Sequence, residues 1–216
     1  MELSLSFNFN ARYFKSGEIT KKTIQVWYVL HGYGQLAKYF LKKFEVLAEK
    51  NICVIAPEAL SRFYLEDLQT RIQGGSNRVG ATWMTRENRA MDIENYIAFL
   101  EAIYRKETAN LKIPVTILGF SQGAATASRW ALQGNIDFAR LILWAGIFPP
   151  DMDFKAGQHI LQSKKVIAVF GDQDPFVTPD RLTEMKMLSD KLGIDPQVIR
   201  YEGKHDLDEA TLGQLI

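Results

Sequence analysis

Runs of apolar and β-branched residues bounded by turn residues recur along the chain, and between them lie segments with apolar residues three and four apart. Leu3, Leu5, Phe7 and Phe9 alternate with polar residues, the period of a half-buried strand. Lys15-Ser16-Gly17 reads as a turn and Thr23 to Leu30 as a second strand, so the chain is expected to open with a hairpin. Leu36 to Lys50 then has helical spacing through Phe40, Phe44 and Leu47. Ile52 to Ala56 is a strand closed by Pro57, and Glu87 to Arg105 a long amphipathic helix with Met91, Tyr96, Phe99 and Ile103 on or near its apolar face. Ile113 to Leu118, Arg140 to Trp144, Val166 to Phe170 and Gln197 to Tyr201 read as further strands. Helices are expected at Ala124 to Leu132, at Leu182 to Leu192 (stopped by Gly193) and at the C-terminus, headed by His205. Strands alternating with helices predict an α/β fold, a mostly parallel central sheet of about seven strands with helices on both faces. Glu58 to Arg86 breaks the alternation. It is mixed in polarity, contains Gly74-Gly75, and is longer than an ordinary connection. Arg62, Phe63, Tyr64 or Trp83 would serve to wall a pocket from it; a plain surface excursion is the competing reading.

Composition narrows the classes of partner. The chain has 216 residues and no Pro/Gly/Ser-rich linker or shift in composition, so residues 1–216 are read as a single domain. Its 26 basic and 25 acidic residues leave a formal net charge of +1, which gives no electrostatic reason to expect nucleic acid or an anionic membrane. No stretch approaches the ~18 apolar residues of a membrane span. Met1-Glu2-Leu3-Ser4-Leu5 lacks a basic n-region and a continuous apolar h-region. No membrane insertion and a cytoplasmic location are therefore expected. Cys53 is the one cysteine, so an internal disulfide is excluded, and within Ile52-Cys53-Val54-Ile55 it is expected to be a small buried hydrophobe.

The chemistry centres on Gly119-Phe120-Ser121-Gln122-Gly123, a G-x-S-x-G between a buried strand and a helix. In that setting the serine sits on a sharp strand-to-helix turn, and the glycines supply space that a Cβ would fill. The start of the helix aims backbone N–H groups at the reacting carbonyl. A serine hydroxyl needs a base, and the base an orienting carboxylate. Of the three histidines, His205 follows a strand's C-terminal end, on the sheet edge that carries the elbow, and is assigned as base. His31 is expected to brace the loop it begins, and His159 to lie on the surface. Asp172 and Asp174 both end the strand before the last; Asp174, further out and followed by Pro175, is chosen over Asp172. Asp206 and Asp208 read as first-turn helix residues. His31-Gly32-Tyr33-Gly34-Gln35, at the end of the second strand, reads as an oxyanion loop with the Tyr33 N–H as donor, against an ordinary strand-to-helix turn. The order Ser, Asp, His is that of α/β-hydrolases.

These motifs, together with Trp144-Ala145-Gly146, the block Gly171-Asp172-Gln173-Asp174-Pro175-Phe176-Val177 and Tyr201-Glu202-Gly203-Lys204-His205, resemble the phospholipase/carboxylesterase family of α/β-hydrolases. That family includes the acyl-protein thioesterases. The resemblance spans most of the chain in the family's order. It implies a triad of Ser121, Asp174 and His205, with the N–H groups of Tyr33 and Gln122 as the oxyanion hole. The family often has Leu at the position of Tyr33, Asp at that of Gln35, and an aromatic and Asp where Met84-Thr85 follow Trp83; the run ending in Lys204 also differs. Lysophospholipid, protein thioester and small ester all remain open as substrates.

The reading is a serine esterase or thioesterase acting on small to medium acyl substrates through an acyl-enzyme, without metal or organic cofactor, as a monomer or homodimer. A serine peptidase on the same fold and a non-catalytic binding module are the alternatives.

Overall fold

The structure, a computed structural model, describes Met1 and residues 3–216. In chain order it contains β1 (Tyr13–Ser16), β2 (Gln25–Leu30), α1 (Ala37–Leu41), a 3₁₀ turn (Lys42–Phe44), α2 (Glu45–Ala48), β3 (Ile52–Pro57), β4 (Ser61–Tyr64), α3 (Leu68–Ile72) and β5 (Val79–Thr82). There follow α4 (Arg89–Glu107), β6 (Val115–Phe120), α5 (Gln122–Gln133), β7 (Arg140–Trp144), α6 (Phe154–Leu161), β8 (Lys165–Gly171), α7 (Pro179–Lys191), β9 (Gln197–Tyr201) and α8 (Glu209–Gln214).

Among the described residues seven strands form the main sheet, in the order β1-β3-β2-β6-β7-β8-β9. All neighbours in it are parallel except β1, which runs antiparallel to β3. The alternating side chains of the strands feed two cores. Val26, Tyr28, Leu30, Ile117, Leu141 and Leu143 pack beneath α4, α5, α6 and α7, through Tyr96, Leu100, Trp130, Leu161 and Leu188. Trp27, Val29, Val54, Leu118, Ile142 and Trp144 pack on the other face against Phe40, Phe44, Leu47 and Leu212. Both faces are covered, which is why the strands read as continuous apolar runs. Each large side chain so buried contributes about 1.5–3 kcal/mol relative to exposure.

The opening of the chain differs from expectation. Leu3, Leu5, Phe7 and Phe9 form no strand and are exposed. Tyr13–Ser16 is a strand, but it pairs with β3 and not with β2, with Phe14 opposite Ala56. The expected hairpin is therefore absent, because strand pairing is decided by non-local partners that local alternation does not encode. The helix expected over 36–50 is divided by the 3₁₀ turn at Lys42–Phe44. The excursion after β3 is structured: β4 and β5 pair antiparallel as a small second sheet, with Phe63 opposite Gly80 and α3 at its tip. The helix α6 in 151–162 was not expected. Among the described residues no helix is long and apolar enough to cross a membrane.

Candidate active site

The turn from β6 to α5 places Ser121 at φ +53°, ψ −115°, outside the regions an L-residue ordinarily occupies. Such a conformation costs on the order of 1–3 kcal/mol and persists only where its surroundings impose it. Here they do. The Ser121 N–H donates to the Trp144 carbonyl at 2.8 Å, tying the turn to the end of β7. Gly123 lies so close to the end of β2 that a Cβ there would collide with the carbonyl oxygens of Leu30 and His31. That approach brings the His31–Gln35 loop beside the elbow.

The loops after β8 and β9 carry the other two residues. Gly171 lets them cross, since a Cβ on it would collide with the carbonyls of Gly203 and Lys204. The crossing is stitched by three bonds: Asp172 N–H to the Tyr201 carbonyl at 3.0 Å, Gln173 N–H to the Gly203 carbonyl at 2.9 Å, and Gly203 N–H to Asp172 Oδ1 at 3.0 Å. His205 thereby meets both partners. Its Nδ1 lies 2.6 Å from Asp174 Oδ2 and its Nε2 lies 3.0 Å from Ser121 Oγ. With the ring proton on Nδ1, the imidazole donates to the carboxylate and accepts from the hydroxyl. The Asp174 side chain is fully shielded from solvent, and its Oδ1 accepts from the Phe176 N–H at 2.9 Å. The rings of Phe120 and Phe176 flank the imidazole, with centroids 5.0 and 4.8 Å away.

The structure thus brings together Ser121, Asp174 and His205 and keeps Asp172 apart, bonded to the backbone of the His205 loop. His205 does not head the terminal helix. It sits on the preceding loop, and Asp208 caps α8 by accepting from Thr211 N–H at 2.7 Å. Asp206 is not in that helix; it pairs with Lys43 at 2.6 Å. His159 is exposed on α6.

His31 is buried and both its ring nitrogens are occupied. Nδ1 bonds the Gly32 carbonyl at 2.8 Å, and Nε2 accepts from the Ala59 N–H at 3.1 Å. Burial lowers its pKa to about 4, so it is neutral at pH 7 and braces its loop. Gln35 Oε1 accepts from the Gly32 N–H at 2.8 Å. The loop is also clipped to β5, by Gly34 N–H to the Ala81 carbonyl at 2.9 Å and Ala81 N–H to the Gln35 carbonyl at 3.1 Å. Among the described residues the Tyr33 N–H takes part in no backbone hydrogen bond. The Gln122 N–H is the first of α5 and precedes its intrahelical ladder.

A cavity of about 470 Å³ opens beside Ser121 and His205, walled by Ala145 to Pro150, Phe176 and Val177, with Met84, Arg89 and Arg181 also lining it. Of the long excursion only Met84 reaches this wall. Trp83 is buried and donates to the His31 carbonyl at 2.8 Å, and Phe63 stacks on Tyr33 at 5.1 Å. Sequence reasoning missed the Gln122 side chain. Its Oε1 accepts from Trp83 N–H at 3.1 Å and its Nε2 donates to the Met84 carbonyl at 3.0 Å, pinning the β5 end to the elbow. No spacing rule marks such a clamp. The flanking role of Phe120 was legible only as the variable residue of the G-x-S-x-G.

A parallel sheet with an antiparallel edge strand, and a serine on the turn after a central strand, give this chain the α/β-hydrolase fold. Solved structures agree. Zea mays acyl-protein thioesterase 2 superposes with a TM-score of 0.68 at 18% identity, over 95% of this chain and 96% of that one. Esterase PE8 gives 0.66 at 19% identity, over 96% and 100%. A phospholipase/carboxylesterase from Dyadobacter fermentans gives 0.64 at 17%, over 96% of each chain. No curated protein sequence matches this one. The family model of the serine hydrolases (FSH1) matches residues 22–208, and the chain belongs to that family of enzymes.

Proposed function

We propose that Ser121, His205 and Asp174 are the catalytic triad of an esterase or thioesterase that works through an acyl-enzyme. The observation that carries this is the unbroken chain of hydrogen bonds, 3.0 Å from Ser121 Oγ to His205 Nε2 and 2.6 Å from His205 Nδ1 to Asp174 Oδ2. Ser121 Oγ attacks the acyl carbonyl while Nε2 takes its proton. The carboxylate of Asp174 holds the imidazole in the required tautomer and stabilises the imidazolium. The N–H groups of Tyr33 and Gln122 receive the oxyanion, an interaction in which one donor is worth about 3 kcal/mol. His205 then protonates the leaving oxygen or sulfur, and water, deprotonated by the same nitrogen, releases the acid and restores Ser121. His31 is not a competing base, because both its nitrogens are already bonded.

The test is labelling by a fluorophosphonate followed by mapping of the adduct. The adduct is expected on Ser121 alone, and Ser121→Ala is expected to remain folded and lose on the order of 10³-fold or more in kcat on nitrophenyl esters. An adduct on another residue, or substantial turnover by the variant, overturns the assignment.

A further inference from the structure

The cavity beside Ser121 is apolar along most of its wall, yet two arginines and, among the described residues, no carboxylate line it. Arg89 is the first residue of α4, and Arg181 stands in the first turn of α7. With Gln122 on α5, the first turns of three helices of twelve or more residues meet at one cavity, each presenting the positive end of its dipole. Arg89 is held in place from behind. Asp151 Oδ2 pairs with its Nη2 at 3.1 Å, while Asp151 Oδ1 pairs at 2.6 Å with Arg129, a guanidinium that is almost wholly buried. Among the described residues one carboxylate thus serves these two cations. Arg89 Nε is shielded from solvent and has no acceptor among the described residues. Arg181 pairs with Glu184 at 2.6 Å, and that pair is partly exposed, so its guanidinium is free to exchange partners.

A cavity built only for a hydrocarbon chain gains nothing from two guanidinium groups, whose desolvation opposes an apolar occupant. We infer that the substrate carries a carboxylate beyond the scissile bond, received by Arg89 and Arg181. This rests on the esterase reading above. The reaction is then hydrolysis of a carboxylate-bearing ester: water adds and the acyl–oxygen bond breaks, so that a dicarboxylic half-ester yields a dicarboxylate and an alcohol, or an O-acyl hydroxy acid yields an acid and a hydroxy acid. Fork-shaped guanidinium donors match a carboxylate in geometry as well as charge.

Matched substrates distinguish which half bears the charge. For the acyl half, 4-nitrophenyl hydrogen adipate is compared with 4-nitrophenyl hexanoate; for the alcohol half, 6-acetoxyhexanoate with hexyl acetate. The charged member of one pair is expected to be favoured by roughly tenfold or more in kcat/KM. The ratio should fall toward one in Arg181→Met, whose partly exposed site tolerates the change, as well as in Arg89→Met, and should shrink at high salt. Equal rates within both pairs, or a ratio that both variants leave intact, overturns the inference while leaving ester hydrolysis standing. Calorimetric titration of Ser121→Ala with adipate and with hexanoate separates the two readings further. Tighter binding of adipate with no cleavage of any ester sinks hydrolysis alone, and binding of neither acid with cleavage of every ester at matched rates sinks the carboxylate subsite alone.

Discussion

The two aspartates after β8 have nearly the same sequence context and different expected costs on mutation. In Asp174→Asn the amide oxygen can keep the bond from the Phe176 N–H, now 2.9 Å long to Oδ1. The amide nitrogen then replaces Oδ2, 2.6 Å from His205 Nδ1. An NH₂ there must donate, so Nδ1 becomes the acceptor and the ring proton moves to Nε2. An Nε2–H cannot accept from Ser121 Oγ, and the developing imidazolium loses its counter-charge as well. Inverting the tautomer in this way costs roughly 10⁴-fold in kcat, or about 5 kcal/mol of transition-state stabilisation. Among the described residues the Asp172 side chain accepts only from the Gly203 N–H, at 3.0 Å. An Asn there keeps an oxygen acceptor, and the difference between a charged and a neutral acceptor is about 1 kcal/mol, so the rate is expected to fall about fivefold at most. Burst and steady-state release of nitrophenol from both variants, with far-UV dichroism and melting curves to check folding, measures the contrast. Two folded variants with equal losses, or a folded Asp174→Asn within tenfold of wild type, would refute the reasoning.

His31 is neutral and buried, with its pKa lowered to about 4 against an unfolded value near 6.5, so the unfolded chain binds a proton there that the folded chain refuses. Its contribution to stability is complete above pH 6.5 and is lost between pH 6.5 and 4, by up to on the order of 3 kcal/mol; urea unfolding at pH 7 and 4.5 should show this drop, and His31→Gln should lack it. Gly123→Ala sets a Cβ against the backbone carbonyls of Leu30 and His31, which cannot swing aside, and is expected to cost about 2 kcal/mol or more and to lower the melting temperature by roughly 5 °C. Cys53 is buried, and burial pushes its thiol up to about 11, so iodoacetamide should leave the native enzyme unlabelled and active, and should label it only in denaturant.

Much of this site could be read from the sequence because its parts are local. The elbow is written in five consecutive residues, and the buried strands on either side are continuous apolar runs whose ends point the same way. Once the sheet is parallel, residues at strand ends converge, which is why Ser121 and His205 could be placed on one edge; choosing Asp174 over Asp172 needed its position further beyond the strand and the family resemblance. What was illegible depends on contacts between distant segments. β1 pairs with β3 because both meet at one edge of the sheet, and Leu3 to Phe9 show that alternation without a partner makes no strand. α6 was hidden by Gly157, a residue that disfavours a helix locally. It is glycine because a Cβ would press against Leu192 and Leu132, so close packing of helices overrides propensity. β4 and β5 are four residues each and separated by α3, with too few side chains to show a period.

That small sheet also bears on the two proposed oxyanion donors, the Tyr33 and Gln122 N–H groups, which lie on separate loops. An isolated pair of four-residue strands is marginal in water, so this one depends on what it docks against. It docks on the elbow at one end of β5, through the Gln122 side chain to Trp83 and Met84, and on the Tyr33 loop through Ala81 to Gly34 and Gln35. A second tie runs through the sheet, where Leu30 of β2 lies beside Gly119 of β6. The loop bearing Tyr33 and the turn bearing Gln122 are therefore joined along two independent routes, one through the sheet floor and one over the top through the hairpin. A single route would leave the loop free to pivot about the end of β2; two routes remove that freedom before substrate arrives. If the two N–H groups act as proposed, a donor pair already in place spends no binding energy on being ordered, and electrostatic stabilisation of an oxyanion requires that condition. Gln122 serves both ends of the proposed arrangement, its backbone N–H as one donor and its side chain holding the hairpin that is clipped to the loop of the other.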